Sequence, residues 1–233
     1  MKLSVIIPLY NEESTILPVL DKLKNVVMPS FISSVEVIVV DDGSKDTSAG
    51  RVEAYIHGKN GYLLVRKQHN EGKGAAIKEG ITHATGDVFL FQDADLELNP
   101  DDIPMMLEMM RKFNVEFVNG SRYLPGVIRP MASYRRYLAN KFFTFLTSAL
   151  INVKLTDMAC GYKLIHRNLL SKITIKEKKF GIEAELIIKA LRIKKNNIIE
   201  VPVQYTPRFE QEGKKLKNID AFKILWTIIK YSV

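Results

Sequence analysis

Apolar runs broken by polar turns set the layout of this chain. Leu3–Pro8 and Val35–Val40 are near-continuous stretches of aliphatic and β-branched residues, and Val88, Phe89, Leu90, Phe91 and Gln92 form a third. Each is short enough for a buried strand and is followed by turn residues. Between them the period changes: Ile16, Leu17, Val19, Leu20 and Leu23 fall on one helical face, as do Ala75, Ala76, Ile77 and Ile81. Strand, polar turn and helix in repetition predict an α/β fold with a mostly parallel sheet, flanking helices and the carboxyl ends of the strands on one edge, where open sheets bind ligands. Near the end, Phe222, Leu225, Trp226 and Ile229 recur at helical spacing, with Lys223 and Lys230 off that stripe. Such a stripe suits either an interfacial helix or a helix packed on the protein's own core.

The turns at that edge are acidic. Asp93 and Asp95 stand two apart, so on an extended segment both carboxylates point the same way, and Glu97 continues their face. Hard oxygen ligands of this kind suit Mg²⁺ or Mn²⁺. The competing reading is a helix cap, because Asn99, Pro100, Asp101 and Asp102 start a helix immediately afterwards. Two more acidic turns weigh against caps alone: Tyr10, Asn11, Glu12 and Glu13 after the first strand, and Asp41, Asp42, Gly43 and Ser44 after the second.

Composition narrows the class. With 233 residues, 46% of them hydrophobic, the chain can bury one sizeable core. Phe142–Val153 and Ile224–Ile229 fall short of the roughly 20 apolar residues that cross a bilayer. The first strand begins at Leu3, so no signal peptide is expected, and the single cysteine, Cys160, is expected in a reducing compartment. The net charge of +8 is uneven: residues 161–233 hold 16 Lys and Arg against 7 Asp and Glu. That excess fits an anionic membrane, a polyphosphate ligand or nucleic acid. The absence of zinc-finger spacing and of an aromatic RNA-binding signature disfavours the last, leaving a basic nucleic-acid-binding protein as the non-enzymatic alternative. Lys176, Lys178, Lys179, Lys194 and Lys195 read as solvated surface.

Six segments together carry a resemblance. VIIPLYNE at 5–12, VIVVDDGS at 37–44, NEGKG at 70–74, DAD at 93–95, GSRY at 120–123 and DMACGY at 157–162 occur in the order found in inverting family-2 glycosyltransferases. The chain most resembles their dolichyl-phosphate mannose or glucose synthase branch. The Gln and Arg-Trp pattern of the processive members is missing. The resemblance implies a GT-A (Rossmann-like) catalytic domain over residues 1–215; the amphipathic segment that follows, 216–233, suits membrane association or packing on the core. It implies a UDP- or GDP-sugar donor, a divalent Mg²⁺ or Mn²⁺ ion and transfer of one sugar to a polyprenyl or dolichyl phosphate. The protein would then sit peripherally on the cytoplasmic face of a membrane. A glycan or protein hydroxyl is the alternative acceptor.

On that resemblance Pro8, Tyr10, Glu12, Val40, Asp42 and Ala94 line the nucleotide, with Asp42 preferred over Asp41. Asp93 acts on ribose or metal, and Asp95 and Glu97 hold the ion. Lys73, within Asn70–Gly74, gives the donor a cation beside backbone amides. Arg122 and Arg208 can fork onto phosphate oxygens, so they serve the diphosphate or the acceptor, with Lys214 and Lys215 beside Arg208. Asp157 is expected near the reacting centre. Glu183 and Glu185 resemble the family's acidic pair, and because two helical residues two apart diverge by roughly 200°, only one faces the site. A phosphate monoester with a second pKa of about 6 needs no general base, so His57, His69, His83 and His166 have no catalytic part.

Overall fold

A computed structural model of the chain describes residues 1–126, 133–194, 197–208 and 218–232. The three predicted strands are β1 (Lys2–Leu9), β2 (Ser34–Asp41) and β4 (Val88–Phe91), and they are joined by β3 (Tyr62–Arg66), β5 (Phe117–Ser121), β6 (Lys163–His166) and β7 (Ile199–Pro202). These seven form one sheet in the order β3-β2-β1-β4-β6-β5-β7. All neighbours run parallel except β6, which is antiparallel to both β4 and β5. The predicted mostly parallel α/β sheet is therefore present, with one reversed strand near its middle.

Alternation along β1 divides the core in two. Leu3, Val5, Ile7 and Leu9 face one side, against α1 (Ile16–Asn25), α2 (Ser48–Ile56) and α4 (Ile103–Lys112). Ile6 faces the other, with α3 (Lys73–His83), α6 (Arg167–Leu170), α7 (Ile182–Lys194) and α8 (Asn218–Ser232). Burying each such aliphatic side chain contributes about 1.5–3 kcal/mol, so both sheet faces must be covered. The long α5 (Tyr134–Ile151) lies over α7 and α8. Its inner face packs through Phe143 and Leu146, and its outer face leaves Tyr134, Leu138, Phe142 and Phe145 exposed.

Helix α8 resolves the ambiguity of its stripe. Ile224, Ile228 and Tyr231 turn into the second core, whereas Phe222 and Trp226 are 75% and 66% exposed. The stripe visible in the sequence is thus the outer one. A second stripe, two residues out of phase, holds the helix to the protein.

Candidate active site

At the carboxyl edge, β1, β2 and β4 deliver the acidic turns side by side. β4 ends in a turn that puts Asp93 beside the amino end of α3, where Lys73 Nζ donates to Asp93 Oδ1 at 2.6 Å and to Glu183 Oε1 at 2.7 Å. Burial disfavours the Lys73 charge, but the two carboxylates outweigh it and raise its pKa, so the ammonium is fixed. Of the acidic pair on α7, Glu183 faces this site. Glu185 turns away into the core, where it accepts the backbone N–H groups of Lys176 and Glu177 and the Lys189 ammonium. The segment carrying Glu177 and Lys178 lies directly on the 70–74 turn. A Cβ on Gly72 would stand 2.5 Å from the Lys178 carbonyl, and Gly72 has φ +107°, so glycine answers both demands there.

The expected trio of metal ligands is divided among partners. Asp93 is held by Lys73. Asp95 Oδ2 receives Arg208 Nη2 at 2.6 Å, and the same guanidinium donates to both oxygens of Glu12 at 2.9 and 3.1 Å. Glu97 binds the segment that brings Arg208 in: its Oε1 accepts the Arg208 N–H and its Oε2 the Tyr205 hydroxyl. Among the described residues no three His, Cys, Asp or Glu side chains converge as a metal cluster. The edge still fits a divalent cation at Asp95. Burial, then the neighbouring Asp93 charge, push that carboxyl up to about 7 despite Arg208, and a divalent cation beside it would favour the ionised form that ligates. Mg²⁺ commonly takes one or two carboxylates and completes its shell with substrate phosphates and water.

Across the edge stands a second ion pair. Arg122 donates to Asp157 through Nε at 2.7 Å, Nη2 at 2.8 Å and its backbone N–H at 3.1 Å, and Asn140 adds a fourth hydrogen bond to the carboxylate at 3.2 Å. Burial would raise Asp157, but the Arg122 charge and these hydrogen bonds overcome it and hold the carboxyl below the ordinary aspartate range. The guanidinium of Arg122 also lies 5.0 Å from the Tyr205 ring centroid, and the Tyr205 hydroxyl donates to Glu97, which holds the Arg208 N–H, so Tyr205 links the two arginine systems.

Other expected residues fall into two groups. Pro8 and Tyr10 sit at the carboxyl end of β1, and the Ala94 carbonyl accepts the Thr15 hydroxyl. Val40 and Asp42 differ from expectation. The Val40 side chain is buried in the second core, leaving backbone to meet a nucleotide. Asp42 is only 3% exposed and accepts Lys67 Nζ and the N–H groups of Glu71 and Gly72, so it shapes the 70–74 turn. Glu12, expected to line the nucleotide, is likewise committed to Arg208 and Thr15. Lys214 and Lys215 lie outside the described residues. Lys67, Tyr205 and Asn140 join the site without a motif to announce them; Tyr205 alone had a signal, its place just ahead of Arg208.

A mostly parallel sheet whose carboxyl edge gathers acidic turns with Lys73, Arg122 and Arg208 is an α/β fold of the kind that binds ligands along that edge. The chain belongs to glycosyl transferase family 2, which matches residues 4–174. It is 28% identical over 227 residues to a dolichol-phosphate mannosyltransferase of Pyrococcus furiosus, covering 97% of this chain and 62% of the relative. It is also 28% identical over 177 residues to a dodecaprenyl-phosphate galacturonate synthase of Rhizobium johnstonii, covering 75% of this chain and 51% of the relative. The chain thus spans between half and two thirds of those relatives' length. A dolichyl-phosphate β-glucosyltransferase of Trichomonas vaginalis is matched at 28% over 243 residues, 99% of this chain and 73% of the relative. Glucosyl-3-phosphoglycerate synthase of Mycobacterium tuberculosis, solved with Mn²⁺, UDP-glucose and phosphoglyceric acid, shares the fold at a TM-score of 0.76 and 20% identity, over 99% of this chain and 79% of that one.

Proposed function

We propose that this chain transfers one sugar from a UDP- or GDP-sugar to a polyprenyl or dolichyl phosphate, with inversion and with the help of a divalent cation. The observation that carries the reading is the set of three fixed cations, each held by an acidic partner: Lys73 by Asp93, Arg122 by Asp157 and Arg208 by Asp95, with no histidine among them. In such a transfer an acceptor phosphate oxygen forms a bond to the anomeric carbon as the bond to the nucleoside diphosphate breaks. The acceptor dianion supplies its own electron pair, so the protein's task is to orient two phosphate groups and neutralise charge. Lys73 would face the donor from α3, and Arg122 and Arg208 would take phosphate oxygens of diphosphate and acceptor. Asp95 would hold the cation, which when bound neutralises charge on the departing diphosphate.

A membrane acceptor is supported by two neighbouring helices. Exposed Tyr134, Leu138 and Phe142 recur every four residues on α5, and exposed Phe222, Trp226 and Ile229 follow one another on α8. Arg135, Arg136, Lys141, Lys223 and Lys230 lie on the same two helices. Apolar faces bordered by cations bind anionic bilayers peripherally, at about 1 kcal/mol for each cation near the surface. No helix among the described residues is long and apolar enough to cross a membrane. The test offers labelled UDP-glucose, UDP-N-acetylglucosamine and GDP-mannose with farnesyl phosphate, beside soluble glycans, in Mn²⁺ and in EDTA. Label in the lipid phosphate in Mn²⁺ alone is the expected result; label only in glycans would overturn it.

A further inference from the structure

Beneath the Arg122–Asp157 pair lies a polar row that the transfer chemistry does not use. Lys163 on β6, Asn119 on β5 and Glu200 on β7 stand opposite one another in register across three adjacent strands, so their side chains share one sheet face. Lys163 is 1% exposed and Asn119 fully buried. The Lys163 ammonium spends its three protons on neutral oxygens: Asn119 Oδ1 at 3.0 Å, the Met158 carbonyl at 3.2 Å and the Cys160 carbonyl at 2.7 Å. Asn119 Nδ2 donates to the Asp157 carbonyl at 2.8 Å and to Glu200 Oε1 at 3.0 Å. Glu200 accepts in addition the N–H of Thr156 at 2.7 Å, its hydroxyl at 2.8 Å and the N–H of Asp157 at 3.2 Å.

The row therefore grips the backbone of residues 156–160 from below at five atoms, one side chain after another. Every donor of Lys163 and of the Asn119 amide is used. An ammonium and a carboxylate joined through an amide cost desolvation that apolar residues of like volume would avoid, and burial pulls the Lys163 pKa below the usual lysine value. Stability alone gives no reason for such a row. What it does fix is the turn from which the Asp157 carboxylate reaches Arg122.

We propose that Lys163, Asn119 and Glu200 are positioning residues for sugar transfer: they hold the 156–160 turn so that Asp157 keeps Arg122 aimed at phosphate, and none of them touches substrate. The proposal rests on the reading of Arg122 as a phosphate-binding residue.

Glu200→Gln tests it with little change of volume, since the amide sets a donor against the N–H groups of Thr156 or Asp157. Lys163→Met is the second variant. The backbone N–H of Arg122, which donates to Asp157, should lose protection from hydrogen exchange by at least tenfold in either variant. Turnover from UDP-glucose or GDP-mannose to farnesyl phosphate should fall at least tenfold, while the Kd for UDP and for GDP in Mn²⁺ stays within twofold. In an Arg122→Ala background, Glu200→Gln should cost no further turnover, because a positioning residue has nothing left to position. Unchanged protection of the Arg122 amide, or the same fold-loss with and without Arg122, overturns the proposal and leaves the function standing. Full turnover in Arg122→Ala alone instead overturns the phosphate-binding reading and the proposal with it, whereas the exchange data still say whether the row holds the turn.

Discussion

Replacing Asp157 by alanine tests the linchpin of the candidate site. The carboxylate is fully buried and takes three hydrogen bonds from Arg122 and one from Asn140. Deleting it leaves a largely buried guanidinium without its counter-charge, and breaking a buried ion pair in this way costs about 3–5 kcal/mol. For a domain of this size 1 kcal/mol moves Tm by roughly 2–4 °C, so Asp157→Ala should melt roughly 6–20 °C lower, and Asp157→Asn, which keeps an acceptor and the shape, should lose less. The pH dependence has a definite sign. The folded pKa of Asp157 lies below its unfolded value, so its contribution is present above about pH 4 and is lost as pH falls through the folded pKa. Wild type should then lose stability on acidification more steeply than Asp157→Asn. Thermal melts from pH 3 to 8, with a double-mutant cycle against Arg122→Ala, measure both effects. The double variant should be no less stable than the worse single one. Additive losses, or a Tm for Asp157→Ala within about 2 °C of wild type, would refute the reasoning.

Further outcomes follow from the same geometry. Asp95→Asn should abolish transfer and the stabilisation of the protein by Mn²⁺ with UDP or GDP, read as a thermal shift, while the nucleotide-free protein stays folded; a retained metal-dependent shift would move the ion elsewhere. Arg208→Ala should lower turnover far more than nucleotide affinity, and equal losses would put Arg208 on the donor. Charge on the exposed stripes, as in Phe222→Glu with Trp226→Glu, should release the protein from phosphatidylserine liposomes without lowering Tm, and raised salt should weaken the wild-type interaction. Liposome binding that ignores both changes would remove the membrane reading.

Much of this was legible in the sequence because it is local. The runs at Leu3, Val35 and Val88 announce β1, β2 and β4, since a buried parallel strand has nothing polar to show. The divergence of Glu183 and Glu185 follows from helical geometry alone, and Asn99 does cap the turn it precedes, accepting the Asp101 N–H. What escaped depends on register between distant segments. Spacing alone brings Asp93, Asp95 and Glu97 to one face, yet each is drawn to a partner elsewhere in the chain: Lys73, Arg208 and the segment Tyr205–Arg208. The reversed β6 is four residues long and carries a lysine, so it has no apolar run to mark it. The outer stripe of α8 was visible while the inner one was not, because only the packed sheet decides which face is covered.

The contact of Glu12 with Arg208 joins residues 196 positions apart, one in the first turn of the chain and the other past the last strand of the sheet. Domains begin to fold while still emerging from the ribosome, and the half of the sheet built from β1 to β4 is complete long before Arg208 is made. A nascent chain can thus form the edge that has Asp95 but lacks Arg208 and the Arg122–Asp157 pair. Under the proposed function the groups that meet donor and acceptor phosphate come together only once Arg208 has been made, so a partly synthesised chain would have no means of splitting a sugar nucleotide.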